Sequence, residues 1–274
     1  MMAYITWDIN PLAFSYGGFE IRWYSIFWMV AIILSYIIGR KAALKRGFTD
    51  DDISRLFIYV FVGVFVGARL GHCLFYDWQY YCNHLIEIFV PFSKSEQGNW
   101  EYIGYAGLAS HGGVVGLIMS GGVFCKKNKI SFLRVLDIVA TVAPLAACFI
   151  RLANLMNSEI IGVETELPWA FIFLNVDEMP RHPAQLYEAI YYAIVFIAIV
   201  VFERYWKGKT SDGFVSGAVL TVIFLFRFMV EFIKERQVEF ENNLPLDMGQ
   251  ILSIPIIILG VYLMGRHWKC AKKL

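Results

Sequence analysis

Long apolar runs separated by shorter polar segments extend along almost the whole chain. A helix needs roughly 20 mostly apolar residues to cross a hydrocarbon core about 30 Å thick. We therefore predict an all-α integral membrane protein that forms a single polytopic domain over residues 1–274. It should have about seven transmembrane helices, of which the third is short and rich in glycine. Their approximate ranges are 22–39, 56–76, 111–125, 133–150, 186–203, 214–233 and 248–265.

Lys and Arg are distributed unevenly over the segments between these runs. Fifteen of them follow the first, third, fifth and seventh runs, and six lie in the alternate segments. Cytoplasmic loops carry the excess of Lys and Arg, so we expect the N-terminus outside and the C-terminus in the cytoplasm. The outer segments, about 77–110, 151–185 and 234–247, are long and rich in Trp, Tyr, Asn and Glu. We expect them to form a head region on the outer side.

Composition supports a membrane protein and excludes several other classes. Hydrophobic residues make up 58% and charged residues 17% of the chain, whose mean hydropathy is +0.55. A soluble domain is nearer 25% charged. The net charge of +1 gives no excess of one sign for binding nucleic acid. The five cysteines form no C-x-x-C pair, and no metal-ligand spacing is present, so no metal site is predicted.

Charged residues within the apolar runs require a reason, because each costs about 2.5–3.5 kcal/mol to insert. Arg69 has small neighbours that allow another helix to pack closely, and either binds an anionic head group or forms a structural ion pair. Arg227 and Glu231 are four residues apart on one helix face. They either neutralise each other or leave Arg227 to hold a phosphate with its planar fork of donors.

The segment 151–162 follows the fourth run and is unusually polar. Arg151, Asn154 and Asn157 are three residues apart, so they lie near one face if the segment is helical. One fixed charge and two amides suit a phosphoglycerol group. An arginine that extends from a helix end towards water is the alternative, but it does not account for the amides.

Two histidines begin apolar runs. His111 is followed by Gly112 and Gly113, which leave the backbone open to a lipid or a peptide. Histidine has an ordinary pKa close to neutral pH and can act as a base, whereas a boundary histidine bonded to backbone is the alternative. His182 and Gln185 enter the fifth run, either as a polar wall of the site or as a helix-entry motif.

Taken in this order, the motifs resemble the prolipoprotein diacylglyceryl transferase family. The resemblance extends from about Trp23 to Ser253, nearly the whole chain. Its anchors are the segments 67–71, 111–113, 151–162, 167–169, 181–188, 226–227 and 230–232. In this family, the segment around the arginine that corresponds to Arg151 usually reads Gly-Arg-x-Gly-Asn-Phe. Here Ile150 and Ala153 stand at the two glycines, and Leu155 at the aromatic residue.

The resemblance implies an enzyme of the bacterial inner membrane with its site towards the periplasm. It implies transfer of diacylglycerol from phosphatidylglycerol to the lipobox cysteine of a prolipoprotein signal peptide, which forms a thioether and releases glycerol phosphate. This is the first step of bacterial lipoprotein maturation and uses no metal or other cofactor. The implied partners are phosphatidylglycerol, the signal peptide and membrane lipids, and not nucleic acid.

The resemblance also implies roles for individual residues. Arg151 would bind phosphatidylglycerol and act in catalysis, Arg227 would be an essential arginine, and His111 would be the base. Related chains carry a tyrosine where Ile223 stands, and Tyr24 or Tyr187 is a candidate to supply that hydroxyl. The full set of substrate-binding residues predicted is Tyr24, Arg69, Gly112, Gly113, Arg151, Asn154, Asn157, Glu159, His182, Gln185 and Glu231.

Two rival interpretations belong to other classes. A small polytopic lipid or solute transporter would also bury arginines, but it would have no thiol substrate and no covalent product. Transporters often show internal repeats or half-helices, and none is visible in the sequence. A structural membrane subunit is the third interpretation, which the polar outer segments do not favour.

Overall fold

The computed structural model describes residues 4–17, 19–90, 92–94, 100–102, 107–206, 210–235 and 245–271. Most of the predicted segment 234–247 and parts of 77–110 lie outside the described residues. The helices are α1 Trp23–Lys45, α2 Asp50–Phe75, α3 Trp78–Tyr81, α4 Ser110–Asn128, α5 Phe132–Met156, α6 Ala184–Trp206, α7 Phe214–Val230 and α8 Met248–Ala271. The strands are β1 Ile5–Trp7, β2 Leu12–Tyr16, β3 Phe19–Arg22, β4 Phe92–Lys94, β5 Trp100–Tyr102, β6 Phe171–Phe173 and β7 Pro180–Arg181.

Six of the described helices are long and apolar enough to cross a membrane. They are α1, α2, α5, α6, α8 and α7 together with the short 3₁₀ turn that follows it. The chain is therefore a multi-pass membrane protein of the predicted mainly helical class. The count of seven spans is not confirmed: α4 forms where the third span was predicted, but it is not among the six. Its five glycines make it less apolar than the others.

The chain divides into two compact units. One comprises Met1–Arg46 and Leu136–Leu274, and the other comprises Gly47–Val135. The first unit contains α1, α6, α7, α8 and most of α5, and the second contains α2, α3 and α4.

In the unit Gly47–Val135, α2 and α4 pack closely along a glycine seam. We define this seam as Gly63, Gly67 and Gly71 of α2 with Gly112 and Gly116 of α4. A Cβ atom at Gly67 would overlap the carbonyl oxygen of Gly112, and one at Gly116 would overlap the carbonyl oxygen of Gly63. Glycines spaced by four residues allow two helix backbones to approach within a membrane. Two of the five glycines that make α4 less apolar, Gly112 and Gly116, are therefore also what lets it pack.

In the other unit, short strands extend from the helix ends and form a mixed sheet. β6 pairs in parallel with β1 and antiparallel with β7. Two further bridges, Glu164 with Arg181 and Gly162 with Lys234, continue the ladder beyond β7. The Trp7 indole donates to the carbonyl oxygen of Leu155 at 3.0 Å, which ties the sheet to the end of α5. The helix periodicity of the sequence did not predict these strands of two to five residues.

Helices α7 and α8 pack through small residues, and α7 is also held at its start. A Cβ atom at Gly217 would lie 2.7 Å from the carbonyl oxygen of Gly260. The buried Asp137 carboxylate of α5 accepts hydrogen bonds from the backbone N–H groups of Gly213 and Ser216 at 2.9 and 2.8 Å. These bonds satisfy donors that a helix N-terminus otherwise leaves unpaired. The C-terminal end of α7, which carries Arg227, lies beside the start of α8.

Candidate active site

Arg151 and its polar neighbours form one connected cluster at the end of α5. The Arg151 Nε atom lies 2.8 Å from Glu188 Oε2, in an ion pair. Its Nη1 donates to Asn154 Oδ1 at 3.3 Å. The side-chain amides of Asn154 and Asn157 each donate to one oxygen of Glu159 at 3.0 Å. The structure thus brings together the three residues that the sequence placed on one face, together with two carboxylates.

A tight turn after α5 makes this arrangement possible. The helix ends at Met156, and both Ser158 and Ile160 adopt left-handed backbone conformations with φ of 55° and 58°. Such a φ is unfavourable for a β-branched residue such as Ile160. The turn is closed by the Glu159 N–H, which donates to the carbonyl oxygen of Asn154 at 2.9 Å. The chain reversal carries the Glu159 carboxylate back to the two amides.

Glu188 provides the buried carboxylate with which both Arg151 and Lys234 pair. Its side chain has no exposed surface, and besides Arg151 it contacts Tyr192 and Lys234. Lys234 Nζ donates to Glu188 Oε1 at 3.3 Å and to Glu231 Oε2 at 3.0 Å. A buried charge requires such pairing, because taking it out of water is costly.

Neither Glu188 nor Lys234 was predicted as a site residue, although Glu188 ends the segment 182–188 that was considered as a polar wall of the site. A signal was present for both: Glu188 is three residues after Gln185 on the same helix face, and Lys234 is three residues after Glu231. The position of Lys234 just beyond an apolar run made it resemble an ordinary loop residue.

Several polar groups in this region have no partner among the described residues. No hydrogen bond or ion pair to another described residue is present for Nη2 of Arg151 or for the guanidinium group of Arg227. Both amide atoms of Gln185 are buried without a hydrogen bond, as are Asn157 Oδ1 and Ser158 Oγ. Buried polar groups in proteins are almost always hydrogen-bonded. Unpaired donors and acceptors gathered in one place are therefore typical of a site that binds a polar ligand.

The Arg227–Glu231 ion pair that the sequence allowed is absent from the described structure. α7 ends at Val230, and a 3₁₀ turn over Glu231–Ile233 follows it. Glu231 pairs with Lys234 instead. Arg227 is half-buried and lies near enough to Tyr192 to act electrostatically on its hydroxyl, as Arg151 also does.

Arg69, in the other unit, has a different environment. It is 3% exposed, and it donates to the carbonyl oxygens of Glu87 at 2.7 Å and Ile88 at 3.1 Å. It also donates to the Tyr81 hydroxyl at 3.2 Å and to the carbonyl oxygen of Gly107 at 3.4 Å. These bonds hold the segments that follow α2 and precede α4. These bonds favour a structural role for Arg69 over binding of a head group, and the ion pair given as its alternative stays a prediction.

His111, Gly112 and Gly113 belong to the same unit as Arg69. His111 is exposed at the start of α4 and has no hydrogen-bond partner among the described residues. Gly112 lies in the glycine seam, where backbone of α2 fills the space that a side chain would take. At Gly113 a Cβ atom would meet Val64 at an ordinary distance of 3.5 Å. The structure therefore favours helix packing over an open backbone at Gly112.

The order of these polar motifs along apolar helices is matched in known proteins. A family model described as prolipoprotein diacylglyceryl transferase matches residues 11–266. The chain belongs to the prolipoprotein diacylglyceryl transferase family. The resemblance predicted from the motifs is thereby confirmed.

Similar relatives in this family are named phosphatidylglycerol–prolipoprotein diacylglyceryl transferase. The protein from Bacteroides fragilis is 48% identical over 97% of this chain and 96% of its own length. That from Chloroherpeton thalassium is 40% identical over 98% and 97%, and that from Porphyromonas gingivalis is 39% identical over 97% and 96%. These names are those of transferases, as predicted, and not of transporters.

The departures from the usual family run are accommodated by packing. Ala153 is fully buried at the place of a family glycine. Leu155, at the place of the family aromatic residue, lies in an apolar cluster with Ile161, Phe171 and Phe173. Two aromatic rings from β6 thus pack beside the leucine, so this member of the family keeps a filled core next to Arg151.

The tyrosine expected one turn before Arg227 is absent, and two other tyrosines were considered as its substitute. Ile223 packs against an apolar cluster of Ala140, Val215 and Val219. Tyr24 is half-buried at the start of α1, with its ring centroid 6.5 Å from that of Trp28. Position 223 in this member of the family therefore serves packing between helices.

Tyr187 connects His182, one residue of the predicted polar wall, with Trp169. Its hydroxyl accepts a hydrogen bond from Trp169 Nε1 at 2.9 Å and lies 3.3 Å from His182 Nδ1. Burial lowers the pKa of the His182 imidazole, so this ring is neutral at pH 7. Because the Tyr187 oxygen already accepts from Trp169, its own proton is free to point at the neutral imidazole.

Arg181 is held firmly just before this wall. Its Nε and Nη2 donate to Asp177 Oδ2 at 2.9 and 2.6 Å, and its Nη1 lies 3.4 Å from Glu235. The hydrogen bond from Arg181 lowers the pKa of Asp177, and the same bond raises the pKa of Arg181. Arg181 thus orders β7 and the approach to His182. In the part of the chain that the structure describes, no three His, Cys, Asp or Glu side chains are placed to hold a metal ion.

Proposed function

We propose that this chain transfers the diacylglyceryl group of phosphatidylglycerol to the thiol of the lipobox cysteine of prolipoproteins. The sulfur becomes part of a thioether, and glycerol phosphate is released. Membership of the family supports the reaction. One observation supports the assignment of particular residues to this reaction. Arg151 and Arg227 have guanidinium donors without a partner among the described residues, and amide atoms of Asn157 and Gln185 are buried without hydrogen bonds.

The chemistry requires a nucleophile and a stabilised leaving group. A free thiol has a pKa near 8.5, so only a few per cent is thiolate at pH 7. In our proposal His111 takes the thiol proton, a contribution typically worth about 10²–10⁴-fold. The sulfur then attacks the glyceryl carbon that is bonded to the phosphate oxygen. A carbon–sulfur bond forms, the carbon–oxygen bond breaks, and its electron pair moves to the departing oxygen.

Arg151 and Arg227 are proposed to hold the phosphate and to stabilise this developing charge. Preorganised donors act strongly in a site of low dielectric constant, because they need no reorganisation as the charge appears. Glu188 orients the Arg151 guanidinium through Nε and leaves the Nη2 edge available. A planar guanidinium fits a phosphate with two parallel hydrogen bonds, which an ammonium does not.

The remaining predicted residues take two kinds of role in this proposal. Asn157 and Gln185 offer unpaired amide atoms to the head group, and Glu159 orients Asn154 and Asn157. Tyr24 and His182 are proposed to line the substrate path. Arg69, Gly112 and Gly113 support the fold of the unit that carries His111. Glu231 is engaged by Lys234 and acts as its counter-ion.

We further propose that the protein lies in the bacterial inner membrane, with its N-terminus in the periplasm and its C-terminus in the cytoplasm. The asymmetry of Lys and Arg between alternate segments supports this orientation. Single cysteines placed in cysteine-free protein near Asn10 and Arg266 test it with a membrane-impermeant maleimide on intact cells. Labelling near Asn10 but not near Arg266 is expected, and the reverse pattern would overturn the orientation.

The reaction itself is tested by mass spectrometry of a synthetic lipobox peptide incubated with purified protein and phosphatidylglycerol. We expect a diacylglyceryl mass gain on the cysteine, its loss with Arg151→Gln, and a strong reduction with His111→Asn. No mass gain with folded wild-type protein would overturn the proposed function. Full activity of His111→Asn would instead remove only the assignment of the base.

A further inference from the structure

Lys234 has a more buried position than its place after a transmembrane helix suggests. Its side chain is 6% exposed. The backbone around it is fixed by pairing: the Val163 N–H donates to the carbonyl oxygen of Ile233 at 2.9 Å, and the Glu235 N–H donates to that of Ile161 at 3.2 Å. This short ladder aims the Lys234 ammonium inward, at Glu188 and Glu231.

The Glu231 carboxylate is held by contacts on two sides. Its Oε2 accepts from Lys234 Nζ at 3.0 Å. Its Oε1 occupies the space where a side chain at Gly249, in the first turn of α8, would begin. The absence of a side chain at position 249 is therefore what allows Glu231 to point towards α8.

Without Lys234, the natural partner of Glu231 would be Arg227. The two residues are four apart, a spacing at which oppositely charged side chains attract on a helix surface. In the structure Glu231 pairs with Lys234 instead, and Arg227 has no hydrogen bond or ion pair to another described residue.

We infer that Lys234 is a positioning residue that holds Glu231 away from Arg227 and shares Glu188 with Arg151, so that both guanidinium groups stay available for the substrate phosphate. This inference rests on the proposed function. Lys234 touches carboxylates and acts on the phosphate only through the two arginines.

The experiment measures initial rates of transfer against the mole fraction of phosphatidylglycerol in mixed micelles for three variants. Lys234→Met should raise KM for the lipid about tenfold or more, the size expected when hydrogen bonds to a charged group are lost. Lys234→Met/Glu231→Gln should recover most of that loss, because a neutral side chain does not compete for Arg227. Lys234→Arg should stay near wild type. A double variant as impaired as Lys234→Met would overturn the inference.

A second variant displaces Glu231 without touching Lys234. Gly249→Ala places a methyl group where Glu231 Oε1 lies, and the flexible carboxylate is the group that must move. Its matched control is Gly265→Ala in the same helix, where a Cβ atom meets nothing within 4 Å. We expect a raised KM for Gly249→Ala and none for Gly265→Ala. Equal KM values for the two variants would contradict the inference.

Binding of a short-chain phosphatidylglycerol to the purified variants in detergent, measured by calorimetry, separates this inference from the reaction. If wild-type protein binds the lipid but transfers nothing, the proposed reaction fails. The inference still stands if Lys234→Met weakens binding and the double variant restores it. If Lys234→Met binds the lipid as tightly as wild type does, the inference fails whatever the transfer rate.

Discussion

Arg69 and Arg151 are both arginines in apolar helices, but their surroundings differ. Arg69 donates to the carbonyl oxygens of Glu87, Ile88 and Gly107 and to a tyrosine hydroxyl. Arg151 has an ion pair through Nε and one hydrogen bond through Nη1, and its Nη2 has no partner among the described residues. Both carry the same cost of insertion into a membrane.

The difference concerns what offsets that cost. At Arg69 the protein supplies acceptors from a folded loop, so the arginine stabilises the loop and the loop satisfies the arginine. At Arg151 the protein supplies one carboxylate and leaves part of the fork unused. The amide atoms of Gln185 are buried without a hydrogen bond in the described structure; such a group costs about 1–3 kcal/mol, which a bound ligand would remove. Unused donors, more than burial or charge, therefore distinguish the candidate site from a structural contact.

The largest effect on activity is expected when the planar guanidinium group of Arg151 is replaced by the compact ammonium group of lysine. Arg151→Lys should lower diacylglyceryl transfer by about 10²-fold or more, the range seen when one preorganised donor is removed. Arg69→Lys should leave the activity of the folded fraction within a few-fold, because its acceptors are carbonyl oxygens. Transfer rates normalised to folded protein check both. Equal losses in the two variants would break the distinction.

Stability tests what Arg69 contributes to the fold. Arg69→Met removes the donor from at least three carbonyl oxygens and should cost about 1–3 kcal/mol for each acceptor left buried and unpaired. Thermal unfolding in detergent measures the loss, with Arg69→Lys as the milder variant. If Arg69→Met unfolds at the wild-type temperature, the loop does not depend on this arginine.

The glycine seam can be tested in the same unit. Gly116→Ala places a methyl group on the carbonyl oxygen of Gly63, so the two helices must separate. Overpacking of this kind typically costs about 1–3 kcal/mol. Gly122→Ala, on the same helix with nothing within 4 Å, is the matched control and should change little. Equal unfolding temperatures for both variants would argue against close packing of α2 and α4.

The smallest effect is expected at the ion pair between Asp177 and Arg181, which precedes His182 in the chain. Asp177→Asn should destabilise the protein by about 0.2–1 kcal/mol, because the pair with Arg181 is partly exposed. The pKa of Asp177 is lowered in the fold, so its contribution is present at neutral pH. It is lost as the pH falls below the ordinary value of 3.8 and through the lowered one. The difference in unfolding temperature between wild type and variant should shrink in acid. A constant difference would mean that the charge plays no part.

Much of the fold and part of the candidate site were predictable from local patterns. The helices lie where the apolar runs are, since a span needs a continuous apolar stretch. Arg151, Asn154 and Asn157 are close because residues three apart share a helix face. The count of seven spans stays a prediction, because the third run is interrupted by five glycines, two of which serve close packing, and α4 is not among the six long apolar helices.

The sequence alone determined the membrane class, the helix positions, the family and the polar segment around Arg151, because each depends on composition or on neighbours within one helical turn. Only the tertiary structure decided which charges pair. Glu188 meets Arg151 across 37 positions of the chain, and Glu231 points to Lys234 because a strand ladder and a glycine in the next helix direct both. Helical periodicity carries no information about such pairs, since they depend on how separate elements approach one another.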